Sequence, residues 1–449
     1  MLHLWSTIVI LLFTIVGTGS RTCPNKKSIE EALIQAHIPG AAIIVVNTTH
    51  SLYEQAFGYQ SLSPQIPMDL DNSIFALASI SKPFVATAVM QLVEKELVDL
   101  DTDINVYLSE PNRKIFHPGY PLHSITLRKL LSHSASIAPT DRSSPDFYQP
   151  GDQEFLQMSL ADKLFAYLQT NASNWLPKPP GSVTDYSNEG AALAALVVER
   201  VAQIPFDQYV KENILKPLGI NLHKAGYYLS DFEDKEVLVK HYLYANNQSV
   251  LKYAQSVAPL LNITYDSNTY PGWINIRFYS SNEYPAGYLH MSARSLSLFL
   301  RMFMNNGSSI LSPRSVAEMR LVVGGGLIPD YDHIVNENST DLPIPDQFTV
   351  GWYWETTAEG QRLLGHSGTL PGAKNLMLMN EKNTLGVIFL SNNNNLTRIY
   401  MSRKNLGTIE KICLSLIQCF ENSASHLSIF NRALPSLLDD TSSHKKLDL

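Results

Sequence analysis

Three short stretches carry side chains that could together break an acyl bond. In Ala78-Ser79-Ile80-Ser81-Lys82-Pro83 a hydroxyl and an amine lie three residues apart. A serine hydroxyl is a weak nucleophile at neutral pH and needs a base and oriented polar neighbours. On a helix that spacing puts Ser79 and Lys82 on one face, so the amine can reach the hydroxyl, while Ser81 faces elsewhere. A helix start also offers unpaired N–H groups and a partial positive field, both suited to an oxyanion. Ser79 as a plain N-cap is the competing reading. The second stretch is Tyr186-Ser187-Asn188, whose outer side chains face the same way if the segment is extended. The third is Gly365-His366-Ser367-Gly368-Thr369, followed by Pro371-Gly372. A glycine there lets a substrate or another backbone approach a strand closely.

The flanking pattern says which elements hold these residues. Pro83 fits only the first turn of a helix, so the helix starts near Ser79 and runs with Val85, Val89, Leu92 and Val93 to about Leu97. Ahead of it lie a helix over Lys27–Ala36 and a hairpin of Gly40–Asn47 and Leu52–Tyr59. Near the other end, strands are expected over Phe348–Thr356, Asn375–Asn380 and Thr384–Ser391, then a helix over Thr397–Phe420. Between the two, helical patterning recurs at Leu160–Leu168, Gly190–Ala202 and Ser292–Asn305, whereas Tyr227–Ile274 follows no clear period. Strands at both chain ends with helices between predict an α+β fold. One sheet is assembled from the two ends, residues of about 27–98 and 275–420, and an insertion of about 99–274 forms a mostly helical lobe. A crevice between lobes is a common place for a ligand.

The chain has 449 residues and a net charge of −7, with no long Lys/Arg cluster, so nucleic acid is excluded as a partner class. There is no metal-ligand spacing and no nucleotide-binding glycine pattern, so no metal or cofactor is expected. Trp5–Val16 is an apolar run too short for a comfortable membrane span, followed by small residues. Residues 1–20 therefore read as a signal peptide. Because basic residues follow that run instead of preceding it, an uncleaved anchor is the alternative. N-x-Ser/Thr sequons begin at Asn47, Asn171, Asn247, Asn262, Asn306, Asn338 and Asn395, which suits glycosylation on the secretory route. Three cysteines make no scaffold. Cys413 and Cys419 would face different sides of a helix, and Cys23 could pair with either. Residues 436–449 form a polar tail. It ends Lys446-Leu447-Asp448-Leu449, matching a K-D-E-L retrieval signal only at its outer positions. Secretion, or residence in the lumen of the secretory or lysosomal pathway, is the expected location, with membrane tethering as the alternative.

The order S-x-x-K, Y-x-N, H-x-G resembles the serine β-lactamase-related family: class C β-lactamases, D-alanyl-D-alanine carboxypeptidases and related esterases. "IPGAAIIVV", "ITLRKLLSHSASI", "YPAGYLHMSARSLSLFL" and "TVGWYW" resemble family segments in the same order. The resemblance covers about residues 28–420 and implies a β-lactamase/transpeptidase-like fold. It implies Ser79 as the acylated nucleophile, with Lys82 and Tyr186 as the acid/base pair. Asn188 would orient Lys82 or the substrate, His366 and Gly368 belong to the substrate-side triplet, and Thr369 would supply an oxyanion N–H. The substrate would be a small-molecule or peptide acyl compound.

Three departures matter. His366-Ser367-Gly368 stands where the family has Lys-Thr-Gly, and a largely neutral histidine suits a substrate carboxylate poorly. Tyr288 follows Gly287 where a second glycine is usual, and would narrow the cleft. Ser132–Ser136 lacks the glycine usual after His133, itself read as structural. These favour a hydrolase of esters or amides over a β-lactamase or D-alanyl peptidase. A non-catalytic binding or assembly protein that keeps the fold is the reading from another class, and intact Ser79, Lys82 and Tyr186 speak against it.

Overall fold

Gly40–Val46 reads GAAIIVV, and all seven residues are buried. A strand with no polar face needs cover on both sides. A computed structural model supplies that cover; it describes residues 23–422 apart from 110–112, 140–147, 153–157, 171, 258, 262, 266–271, 282, 336–344, 358 and 394–406. Ala41, Ile43 and Val45 pack under Ile29 and Leu33 of helix Lys26–Gln35 and under Ile412, Leu416 and Ile417 of the helix at 408–422. Ala42, Ile44 and Val46 face the larger core, with Val85 and Val89 of helix Lys82–Glu94 and Phe299 and Phe303 of helix Ala293–Met304.

The strand lies inside an eight-stranded antiparallel sheet. Its order is Gln347–Phe348, Tyr353–Thr356, Arg362–Leu370, Ala373–Asn380, Gly386–Ser391, Gly40–Val46, Ser51–Leu62 and Gln65–Pro67. The chain ends meet where Ala41 opposes Ser391 and Val46 opposes Gly386. The α+β class and the sheet built from both ends are as expected. Residues expected as one strand, Phe348–Thr356, form two, because the chain reverses at Gly351. Gly351 has φ +78°, and a β-carbon there would lie 2.3 Å from that of Ala86; only glycine combines that backbone with that proximity. Strand Arg362–Leu370 is an addition: its glycines and polar residues hide it from the apolar pattern.

Between the sheet's two halves the chain carries helices Leu160–Thr170 and Asn188–Ala202. The aperiodic stretch is a small three-stranded sheet of His241–Ala245, Gly272–Ile276 and Thr264–Tyr265 with helix Gln248–Val257. A disulfide joins Cys23 to Cys419, with α-carbons 5.2 Å apart, and pins the first helix to the last. Closing so long a loop is worth on the order of 5 kcal/mol by chain entropy. Cys413 is a free, buried thiol, and burial pushes its pKa up. The expected signal segment, the tail, and Asn171, Asn262, Asn338 and Asn395 lie outside the described residues. Asn247 and Asn306 are exposed and Asn47 is half-buried. Among the described residues no helix is long and apolar enough to cross a membrane.

Candidate active site

Ser79 lies on a 3-10 turn, Ala78–Ser81, that runs into the helix beginning at Lys82. No side chain caps this helix start. Ser79 is thus not held there as a cap; its hydroxyl receives the Lys82 ammonium at 3.2 Å. Ala78, just before it, sits at φ +54°, a conformation costing a non-glycine residue about 1–2 kcal/mol. The surroundings impose it. Ser81, facing away from Lys82, donates to the Ala78 carbonyl at 2.7 Å and receives the Leu289 N–H at 3.1 Å. Asn375 donates to the Ala76 carbonyl at 2.8 Å.

Lys82 is 1% exposed. Besides Ser79, its ammonium reaches Asn188 Oδ1 at 2.7 Å and the Ala286 carbonyl at 2.9 Å. Those three contacts match the three donors of an ammonium. The Tyr186 ring lies beneath it, 4.7 Å from Nζ to the centroid. Asn188 does not cap the helix it opens. Ser187 does, receiving the Gly190 N–H at 3.2 Å, which leaves the Asn188 amide for the lysine.

His133, outside the three motifs, sets the Tyr186 segment in place. Its ring packs tilted against that of Tyr186 with centroids 4.3 Å apart, its Nδ1 accepts the Ser187 N–H at 3.2 Å, and its carbonyl accepts the Asp185 N–H at 2.9 Å. Burial first, then Lys82 and His366, hold its pKa well below the ordinary value, so the ring is neutral. The glycine missing from its turn has a local consequence: Ser136 takes φ +58° and is held by a bond to the Pro179 carbonyl at 3.1 Å.

The opposite wall is strand Arg362–Leu370. Gly368 lies so close to the Ser79 turn that a β-carbon there would sit 2.3 Å from the Leu77 carbonyl oxygen and 3.3 Å from the Ser79 nitrogen. That proximity brings Thr369 to the cleft beside Ser79. His366 is 2% exposed; its Nδ1 donates to the Ser367 carbonyl at 2.6 Å. Burial and the Lys82 charge push its pKa down to about 3. This wall therefore presents a neutral imidazole, with a lone pair on Nε2, in place of a cation. A narrow cleft opens between the walls, lined by Ser79, Asn188 and Thr369 from the motifs and by Tyr148, Glu283 and Tyr288 from outside them.

All seven predicted site residues thus lie around this cleft or directly behind it. The sequence reading took His133 as structural, which its support of Tyr186 bears out, and missed Ser81 as a support, Asn375 and Glu283. Asn375 stands next to the apolar run Leu376–Met379 of its strand, and that polar interruption is the signal that could have found it; Glu283 carries no local signal.

Residues 26–404 match the family described as Beta-lactamase. A penicillin-binding protein of Bacillus subtilis is 23% identical over 388 residues, covering 81% of this chain and 70% of that protein. Protein flp of Staphylococcus aureus is 22% identical over 375 residues, covering 82% and 62%. The chain thus spans about two thirds of the length of these relatives. Among solved structures, D-amino acid amidase from Ochrobactrum anthropi is similar with a TM-score of 0.65, at 17% identity, covering 89% of this chain and 99% of that one.

Proposed function

The chain belongs to the β-lactamase family of serine hydrolases, and on that premise we propose that it cleaves an ester or amide bond through an acyl-enzyme on Ser79. Lys82 and Tyr186 serve as the acid/base pair. The observation that carries this reading is the setting of Lys82. Asn188 and the Ala286 carbonyl take two of its N–H bonds, so the third tetrahedral position points at Ser79. In the neutral amine that position is a lone pair, aimed at the hydroxyl proton.

Ser79 Oγ attacks the carbonyl carbon and its proton passes to Lys82. The N–H groups of Ser79 and Thr369 receive the oxyanion. The bond to the leaving group breaks as Tyr186 delivers a proton to it. Water then adds to the acyl carbon and gives its proton to the Tyr186 oxygen, and the Ser79 ester bond breaks as Lys82 returns its proton to Ser79 Oγ, releasing the acid and restoring both groups. The neutral His366 leaves a substrate carboxylate without a cation, which disfavours penicillins and D-alanyl peptides. The neighbour named D-amino acid amidase makes an amide of comparable size a reasonable substrate class.

A location on the secretory route is supported by the Cys23–Cys419 disulfide and by exposed sequons at Asn247 and Asn306. The test of the reaction is intact-mass spectrometry of the deglycosylated protein after a fluorophosphonate. A fluorescent penicillin and a p-nitrophenyl ester run in parallel, with Ser79→Ala as control. One adduct mapping to Ser79 is expected, with the ester turned over and the penicillin ignored. A folded protein labelled by no probe would favour a binding role.

A further inference from the structure

Two acceptors hold the Lys82 ammonium behind Ser79, and both trace to one helix. Asn188 opens helix Asn188–Ala202 and meets the ammonium directly. The other acceptor is the Ala286 carbonyl, on the single-turn helix Tyr284–Gly287. So short a helix does not hold its own shape in water, and the place of that carbonyl depends on how the turn is fastened. Downstream, the Leu289 N–H bonds Ser81 Oγ at 3.1 Å and the Leu289 carbonyl accepts the Leu77 N–H at 2.8 Å. Upstream, the fastening is Tyr284. Its ring is buried among Phe206, Tyr227 and Tyr228, with centroids 6.4, 5.2 and 5.6 Å away. Its phenol donates to Glu199 Oε2 at 3.5 Å, and the same oxygen accepts the Phe206 N–H at 3.1 Å. Glu199 lies on the helix that Asn188 opens, about three turns further on. Burial raises the pKa of both groups, so the phenol stays a donor, in a setting where such a bond counts for more than in water.

We propose that Tyr284 is a positioning residue for the base, with Glu199 as its latch: together they hold the Ala286 carbonyl on Lys82 and so aim the amine at Ser79. The inference rests on the acyl-transfer reading above. Between the two fastenings lies Gly287, where a β-carbon would meet nothing within 4 Å. No side chain steadies the backbone beside the carbonyl, so the anchors on either side must. With Asn188 and Ala286 fixed, the remaining position of the amine faces Ser79. A carbonyl that drifts lets the amine turn away. It also withdraws an acceptor that favours the charged lysine, which makes the proton easier to lose. Releasing the anchor therefore lowers the plateau of the rate and moves the acid limb of its pH profile to lower pH. A residue held only for packing would lower the plateau and leave the limb in place. The other charges acting on these tyrosines, Asp207 and Asp231, pair with Lys211 at 3.2 and 2.6 Å. Around Lys82 the titratable groups are Tyr186, His133 and His366. The variants below leave all of these in place.

The experiment uses the full chain purified from a secretory host. The kcat/KM for a p-nitrophenyl ester is measured from about pH 5 to 9, with fluorophosphonate labelling of Ser79 followed by mass at each pH. Tyr284→Leu is expected to lower the plateau about 10-fold and to move the acid limb about half to one pH unit lower. Tyr284→Phe keeps the ring and loses the phenol. Its limb moves the same way by about half as much, and it serves where Tyr284→Leu does not fold. Glu199→Leu should match Tyr284→Phe, and Glu199→Gln, which keeps an acceptor for the phenol, should recover most of the limb. A parent-like limb in both Tyr284→Phe and Glu199→Leu overturns the inference and leaves the labelled hydrolase standing. A plateau that falls in step with the thermal midpoint while the limb stays put also overturns it, since Tyr284 would then serve packing alone. A parent chain whose Ser79 is not labelled overturns the acyl-transfer reading and this inference with it.

Discussion

The two walls of the cleft differ in how far they depart from the family pattern. The wall of Ser79, Lys82, Tyr186 and Asn188 keeps every motif residue and surrounds it with supports: Ser81 and Asn375 under the turn, His133 behind the tyrosine. The wall of His366, Gly368, Thr369 and the facing segment with Tyr288 keeps the backbone approach and changes the side chains. In the reaction proposed above, one wall carries the parts that make and break bonds, the other the parts that recognise what is attached. Retention on the first with change on the second points to kept chemistry and an altered substrate.

The largest effects should come from the first wall. Ser79→Ala is expected to lower kcat/KM by at least about 10⁴-fold. Lys82→Met should cost about 10³-fold, with loss of fluorophosphonate labelling. Because Ser79 does not cap the helix, Ser79→Ala should move the thermal midpoint little, within about 1 kcal/mol. A large loss of stability would mean that the residue is held for folding. Next comes the one point where the second wall touches the first. Gly368→Ala would drive a β-carbon to 2.3 Å from the Leu77 carbonyl and force the walls apart. A fall of about 10²-fold in kcat is expected, together with roughly 1–3 kcal/mol of stability. An unchanged kcat would show that the approach of Gly368 does not position the oxyanion donors.

Both walls close on neutral imidazoles, so acid should undo them together. His290, held at about 4 by burial, pairs through its backbone with Ala76 beside the turn, while His366 is held at about 3. Their folded pKa values lie below the unfolded value near 6.5. The unfolded chain therefore binds protons that the native chain refuses, and stability falls as pH falls from about 6.5 to 4. His133 acts in the same direction. Asp185 acts against it. Burial, then Asp332 and Asp330, raise it to about 7, so the native chain gains a proton there that the unfolded chain does not. These three histidines against that carboxyl leave a net loss on the order of 2–3 kcal/mol per pH unit in the middle of that window, read as a falling urea midpoint. A flat midpoint over that window would mean that these rings are charged in the native state.

The sequence made the first wall legible and the second only in part. Ser79 with Lys82 is a local relation, fixed by one helical turn, and Pro83 marks where that turn lies. The sheet from both ends could be read because Gly40–Val46 and Gly386–Ser391 are apolar at every position or nearly so. Strand Arg362–Leu370 hid because glycines interrupt it, and those glycines are demanded by a neighbour far off in sequence: Leu77 for Gly368. The left-handed Ala78 gave no sign, because the strain is imposed by Ser81 and the strands beside it and not by its own side chain. Glu283 escaped for the same reason. Its place in the cleft follows from the bonds of the Ala286 carbonyl to Lys82 and of the Leu289 N–H to Ser81, neither of which a linear pattern encodes.

The smallest expected effect, and the one that most sharpens the contrast between the walls, is at Tyr288. It is buried, lines the cleft, and packs edge-on to Tyr279 with ring centroids 6.3 Å apart. Tyr279 in turn donates to the Pro371 carbonyl at 2.7 Å, just beyond the strand of His366. The tyrosine pair thus sets the cleft's width by packing and leaves the bonds around Ser79 untouched. Tyr288→Leu should raise kcat/KM for branched or aromatic acyl groups by about 3- to 10-fold, the worth of one or two methylenes of space. It should change that for acetyl or alanyl groups less than about three-fold. A uniform loss on all of them, tracking a loss on Ser79 labelling, would mean that Tyr288 supports the catalytic turn, and the division of labour between the walls would fail at that residue.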